Sequence, residues 1–345
     1  MPGMSLQLIP LSSDIDAGRD FLNARCLQIG HVLPLNDKRL DEYFPSERSF
    51  LLLQGKKPTA ILSYFSKTHK GSAMARFNIV TDSRMGLRES IRKVEETALA
   101  QEKLIVHTSV LGYDKEKLRG LRSLGYAICA SLPETVSLHG RRYDWHLLYK
   151  DLTGRYSFKV SRAYARPGLY PPVEVRKPEK AKLKVRGYRA QDRETLDRLA
   201  SHQMVIKGIG SGVFEGLYPW PSGGYQAMVD SGRIYPIVCE AENTGQPVGL
   251  ADLWRHPQDV MQHTMMLGII VAAEYQGIGV GTMLMEAIKT LAMRLHLSSV
   301  WLSVFDGNTP AERLYRRAGF VECGKLPGWL QEGYVNETYM TLKLD

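Results

Sequence analysis

The second half of the chain shows clear periodicity. Residues 235–241 alternate apolar and polar side chains as a strand does, Glu242-Asn243-Thr244-Gly245-Gln246 forms a turn, and 248–254 resumes the alternation, which predicts a β-hairpin. A third strand is expected over 264–271, followed by a cluster of glycines. From 282 to 295 the period changes: Leu284, Ile288, Leu291, Ala292 and Leu295 recur at spacings of three and four, which predicts a helix with one buried face. A strand over 300–305, a helix over 309–318 and strands over 320–324 and 335–344 complete a mixed α/β pattern.

The first half repeats parts of this pattern. Gly125-Tyr126-Ala127-Ile128-Cys129-Ala130-Ser131-Leu132-Pro133 and Gly319-Phe320-Val321-Glu322-Cys323-Gly324-Lys325-Leu326-Pro327 share G-[FY]-x-x-C-x-x-L-P at an offset of 194. The apolar run 104–110 stands opposite 298–304 at the same offset, and both halves reach a final strand, over 143–149 and 335–342. An internal duplication accounts for this most simply. Between the copies, Pro167, Pro171, Pro172 and Pro178 interrupt a basic stretch that suits neither a long helix nor a central strand. The expected organisation is residues 1–152, a linker over 153–181, and residues 182–345.

Charge sharpens that division. Lys and Arg number 45 against 36 Asp and Glu, a net charge of +9. Residues 155–193 hold twelve basic side chains against three acids, an excess equal to that of the whole chain. The belt reads as a solvated linker, as a partial contact for an anionic ligand, or as an attractor for an acidic macromolecule such as RNA. No stacking module accompanies Tyr156, Tyr164 and Tyr170 within it, so nucleic acid is not the expected partner. Composition is that of an ordinary globular protein, with 44% hydrophobic and 23% charged residues. Cys26, Cys129, Cys239 and Cys323 form no C-x-x-C pair, which speaks against a zinc ribbon and for reduced thiols. With no apolar run near the ~20 residues of a membrane span and no basic, apolar leader, a cytoplasmic protein without membrane partners is expected.

Candidate chemistry centres on Gln276-Gly277-Ile278-Gly279-Val280-Gly281-Thr282, between a strand and a long helix. Closely spaced glycines let backbone N–H groups approach a ligand, and a helix N-terminus suits a pyrophosphate. A dinucleotide fingerprint would read G-x-G-x-x-G with an acid about twenty residues on, and a P-loop would carry G-K-[ST]; neither is present. A plain structural glycine turn remains the bland alternative. Gln276 to Gly281 also fit [RQ]-x-x-G-x-[GA], and Asn308, Ala311, Leu314, Tyr315, Gly319 and Phe320 fit N-x-x-A-x-x-L-Y-x-x-x-G-F. On these two motifs, in this order, residues 182–345 resemble the GNAT superfamily of acyl-CoA N-acyltransferases.

The resemblance implies an α/β (α+β) fold of two tandem GNAT-like domains, each a mixed central sheet flanked by helices, the first degenerate and the second catalytic. Acetyl-CoA is the implied co-substrate, with no metal. Its pyrophosphate would lie on the loop amides of Gln276, Gly277, Ile278, Gly279, Val280, Gly281 and Thr282, and its pantetheine between two diverging parallel strands. Ile269, Ile270 and Val271 would border the cofactor, and an N–H near Ile269 or Ile270 would polarise the thioester. Asn308 and Ala311 would flank the arm, and Tyr315 would protonate the departing thiolate.

An acceptor amine arrives as an ammonium of pKa about 10 if alkyl and must lose a proton. The position aligned with the family's strand glutamate is Met265, which cannot serve, so His263, Asp252, Glu215 or a water are the candidates, each with an ordinary structural reading beside it. Acceptor recognition is expected from 209–221, with Phe214, Glu215, Tyr218 and Trp220 as a lid or wall, or else as a loop packed on the rest of the chain. In the first half a single glycine follows Thr81-Asp82-Ser83-Arg84-Met85, Asp114 stands opposite Asn308 and Leu121 opposite Tyr315. That copy is expected not to use acyl-CoA and to pack on the other as two GNAT protomers pair, in a monomer or a homodimer. The expected activity is acetyl transfer to a small-molecule, peptide or protein amine by direct attack. The alternative is a non-catalytic module binding acyl-CoA or an acidic partner.

Overall fold

The computed structural model describes residues 6–32, 34–36, 43–65, 74–154, 182–196, 199, 224–327 and 336–344. In chain order the elements are β1 (Leu6–Pro10), α1 (Ile15–Asn23), β2 (Ser49–Gln54), β3 (Lys57–Phe65), β4 (Met74–Thr81), α2 (Arg84–Ala100), β5 (Ile105–Leu111), α3 (Lys115–Ser123), β6 (Ala127–Leu138) and β7 (Arg141–Asp151). After the belt come β8 (Leu183–Gly187), α4 (Gly224–Asp230), β9 (Ile234–Ala241), β10 (Gln246–Arg255), β11 (Thr264–Val271), α5 (Val280–Arg294), β12 (Ser299–Phe305), α6 (Thr309–Arg317), β13 (Val321–Leu326) and β14 (Glu337–Lys343).

All fourteen strands form one sheet, ordered β1, β2, β3, β4, β5, β7, β6, β13, β14, β12, β11, β10, β9, β8. Read outward from the β6–β13 junction, both sides give the same order. The junction pairs Ala130 with Gly324, the same position of the repeated motif, so the contact is self-complementary in the way of a two-fold dimer interface. Gly324 has φ 134°, and a side chain there would strike the Cys129 carbonyl, so the approach of the two strands requires glycine.

Equivalent local devices end the helices in both halves. Glu102 and His296 take left-handed φ of 56° and 53°. The next residues turn back, Lys103 N to Ala98 O at 2.9 Å and Leu297 N to Ala292 O at 3.1 Å, satisfying carbonyls the helix leaves over. Among the described residues each half has a single parallel pair, β4–β5 and β11–β12, and each pair holds for three residues only, ending at Arg76–His107 and at Met266–Trp301. Beyond these points the strands diverge.

On one face, α5 buries Val280, Leu284, Met285, Ile288 and Ala292 against Val300, Leu302 and Met340; α2 does the same with Leu87, Ile91, Val94 and Ala98 against Val106 and Leu148. The other face is shared. Met74, Leu132 and Trp145 of the first half join Tyr225, Trp254, Trp301 and Tyr339 of the second in one hydrophobic cluster, with the Trp145 and Trp301 rings 5.4 Å apart. Four strand spacings separate β7 from β12 in the sheet, so this contact shows that the sheet curls until its two halves face each other.

At the described end of the basic belt, Arg186 is paired within the fold. Arg186 on β8 binds both oxygens of Asp192, at 2.7 and 2.8 Å, and also Glu240. Residues 155–181 lie outside the described residues. Among the described residues, no helix is long and apolar enough to cross a membrane, and no three His, Cys, Asp or Glu side chains are grouped to hold a metal ion.

Candidate active site

β11 runs into a loop whose glycines carry the conformations other residues avoid, with φ 77° at Gly277 and 102° at Gly279. Gly279 is the N-cap of α5 and offers no side chain to the helix, so the first-turn N–H groups keep their hydrogen-bonding capacity at the positive end of the helix dipole. Gln276 ties the loop to the strand, its Nε2 donating to the Val271 carbonyl at 3.0 Å. At the matching place in the first half, Ser83 caps α2 and its hydroxyl accepts from Gly86 N at 3.0 Å. Asp82 beside it is engaged by Arg25 at 3.4 Å.

A cavity of about 860 Å³ opens at the end of α5. Ile269, Val271, Gln276, Gly277, Gly279, Gly281 and Thr282 line one wall; Asn308, Ala311 and Tyr315 line the other. Ile278 and Val280 pack into the core behind the loop, and Ile270 is not part of the lining. β11 and β12 pair no further than Met266–Trp301, short of the Ile269 and Val271 that line the cavity. Asn308 is the N-cap of α6 yet makes no side-chain capping bond, while its counterpart Asp114 caps α3 through Lys117 N at 3.1 Å. Tyr315 is buried, its ring 5.9 Å from Phe320.

The corresponding space in the first half is filled from within. Lys117 stands where Ala311 stands in the second half. Its buried Nζ donates to the carbonyl of Ile79, at 2.8 Å, and Ile79 holds the place on β4 that Ile269 holds on β11. Burial pushes the Lys117 ammonium below its ordinary range, with Asp114 opposing. From the other side His256, Pro257 and Gln258, in the connection from β10 to β11, close the gap, and about 50 Å³ remains.

The candidate bases are scattered. His263 lies at the start of β11, the end away from the loop; its Nε2 is 3.0 Å from the Glu134 carbonyl, and burial lowers its pKa. It is not in the cavity lining, so the shared strand face placed it on the right strand at the wrong end. Asp252 on β10 is buried, accepting from Tyr225 Oη and Trp254 Nε1, each at 2.8 Å. Burial raises its carboxyl above the usual range. It occupies the face opposite α5 and leans over Gly268, where a side chain would strike it. Phe214, Glu215, Tyr218 and Trp220 lie outside the described residues.

Two features were missed in the sequence. Glu337 on β14 is 1% exposed, and burial pushes its carboxyl up to about 7. Ser303 donates to it from β12. The pattern Glu337, Tyr339, Thr341 reads as the polar face of an edge strand, and only the curl of the sheet buries it. Lys117 likewise reads as a surface helix lysine.

An uncapped glycine turn at a helix N-terminus, opening beside two splayed parallel strands, has the geometry that suits an extended, anionic ligand. Residues 209–320 match the model of the Acetyltransferase (GNAT) family. The L-methionine sulfoximine/L-methionine sulfone acetyltransferases of Pseudomonas paraeruginosa and Pseudomonas aeruginosa are each 29% identical over 115 residues. Those matches span 32% of this chain and 66% of the relatives' length. Among solved structures, yncA of Salmonella typhimurium, determined with its cofactor acetyl-CoA, is 20% identical at a TM-score of 0.40, over 47% of this chain and 94% of that one. An N-acetyltransferase of Staphylococcus aureus is 16% identical at 0.41, over 48% and 100%.

Proposed function

We propose that the second half transfers an acetyl group from acetyl-CoA to a primary amine, by direct attack within a ternary complex. The observation that carries this is the contrast between two equivalent helix starts: α5 presents uncapped amides to an 860 Å³ cavity, and α2 has its own serine in that place. In this reading the loop from Gln276 to Thr282 holds the pyrophosphate, with Asn308 and Ala311 beside the pantetheine arm. The thioester supplies an activated acyl carbon and a thiolate leaving group. A backbone N–H near Ile269 or Ile270 polarises its carbonyl. Tyr315 gives the thiolate its proton, a modest contribution because a thiolate already leaves readily. The first half, with Ser83 and Lys117 in the corresponding positions, serves as scaffold, paired with the second half like a protomer with its mate.

The test is thiol release from acetyl-CoA with a panel of amines and peptides, beginning with L-methionine sulfoximine and L-methionine sulfone because of the Pseudomonas relatives. Turnover with at least one amine is expected, with product mass raised by one acetyl group. Tyr315→Phe is expected to lower kcat about tenfold or more while leaving acetyl-CoA affinity within a factor of a few. Calorimetry is expected to give one acetyl-CoA per chain; two would refute the scaffold role. Binding with no acetylation of any amine would leave a non-catalytic acyl-CoA module.

A further inference from the structure

We propose that Ser303 and Glu337 form the proton relay for the acceptor amine, Ser303 touching the ammonium and Glu337 holding the proton behind it. This rests on the acetyltransferase reading of the cleft.

Three observations place the pair. Ser303 follows Trp301, the last residue of β12 paired with β11, by two positions and lies level with Gly268 of β11, in the register set by Met266–Trp301. Both are partly exposed, whereas the paired residues below them are buried, so the hydroxyl stands at the point where the splay opens. By alternation Ser303 shares a face with Trp301 and Phe305, opposite the α5 and α6 side that carries the cavity. An amine approaching from that face meets the acyl carbon through the splay.

Glu337 lies directly behind. It is paired with Phe305, and its Oε1 accepts the Ser303 hydroxyl. The other group facing it is the Tyr339 hydroxyl, 3.4 Å from Oε2 on the same strand. Among the described residues no cation contributes to its ionisation; the nearby Lys325–Asp306 pair is linked to Thr338, on the opposite side of β14. A buried carboxyl without a cation costs stability, and a base that titrates near neutrality is suited to take a proton from an ammonium.

The first half keeps the serine and lacks the carboxylate. Leu111–Trp145 is the register equivalent of Phe305–Glu337, so Trp145 replaces Glu337, and Ser109 replaces Ser303. The buried acid therefore occurs in the half that also keeps the open helix N-terminus. Across the splay, Asp252 leans over Gly268 at the same level. Its two oxygens are already taken up by Tyr225 and Trp254, which suits it to attract the ammonium and not to accept its proton.

The steps balance. An ammonium N–H bond breaks as its proton passes to Ser303 Oγ, and the proton already on Ser303 passes to Glu337, leaving the serine unchanged. The neutral amine nitrogen forms a bond to the acyl carbon. The C–S bond breaks, the thiolate receives the Tyr315 proton, and the phenolate recovers one from the amide nitrogen. Glu337 returns its proton to solvent.

The experiment uses the full chain and an amine from the panel above that the wild type acetylates, with methoxyamine as a second acceptor that is largely unprotonated at neutral pH. Wild-type kcat/KM is expected to rise through an inflection near pH 7. Glu337→Gln, which keeps volume and the Ser303 contact, and Ser303→Ala are each expected to lose at least about 100-fold with the alkylamine and to lose the inflection. The double variant is expected to be no slower than either single one, and the loss with methoxyamine is expected to be much smaller. Acetyl-CoA affinity serves as the control and should stay within a factor of two. A Glu337→Gln enzyme with the wild-type rate and pH profile overturns the relay and leaves the acetyltransferase reading intact. A wild type that binds acetyl-CoA but acetylates no amine overturns both.

Discussion

Glu337 is the residue at which burial and chemistry conflict most openly. Its ordinary carboxyl value of 4.5 is raised to about 7 by burial, so the folded state binds the proton more tightly than the unfolded chain does. Stability associated with this group is present below pH 4.5 and is lost as pH rises toward 7. Glu337→Gln should therefore stabilise the protein at pH 8, by about 3 kcal/mol at most, and should change it little at pH 4. Urea unfolding at the two pH values checks this, and equal effects at both would show that the carboxyl is not held neutral by the fold. Asp252 is better compensated, by a phenol and an indole N–H, and its pKa is raised for the same reason.

At the scale of the element, the decisive contrast is between two helix N-termini. α2 and α5 begin at equivalent places after equivalent strands, yet one is closed by Ser83 and the other left open by Gly279. Gly279 has φ 102° with nothing within 4 Å of a notional Cβ, so the requirement there is conformational and not steric. Gly279→Ala should impose about 1–2 kcal/mol of backbone strain and turn the loop amides, raising the acetyl-CoA Kd about tenfold. Isothermal titration of the variant tests it; an unchanged Kd would remove the loop from the binding site. The strand and helix spans of the second half were legible in the sequence because their periods are clean, as in 264–271 and the buried stripe of α5. His263 was misread because period-two spacing fixes a face of a strand and not a position along it.

For the whole molecule, the shared face matters more than the linker. The sequence suggests that a fragment starting near Lys182 could fold and bind CoA by itself. Trp145 packs on Trp301 and on His256 at 5.4 and 5.6 Å, and the cluster around them draws on both halves, which makes the first half part of the second half's core. Trp145→Ala should cost about 3–5 kcal/mol and lower a single unfolding transition followed by circular dichroism. Two transitions, with only one of them shifted, would show that the halves fold independently. The joining strands contribute less, since a single residue pair links β6 to β13.

The sequence by itself determined the order of the elements from 235 onward, the repeat at an offset of 194, the glycine loop and the Asn308–Tyr315 helix. These are local matters, settled by side-chain period, glycine conformation and fixed spacing along one chain. Only the tertiary structure decided what the repeat encloses. The curl of the sheet buries Glu337 on a strand that reads as half polar, and brings the 256–258 loop of one half into the splay of the other. The insertion of Lys117 between β4 and β5 depends on a carbonyl 38 residues away. Burial and long-range contact have no period, so neither the closed site nor the buried acid could be read before the chain was seen folded.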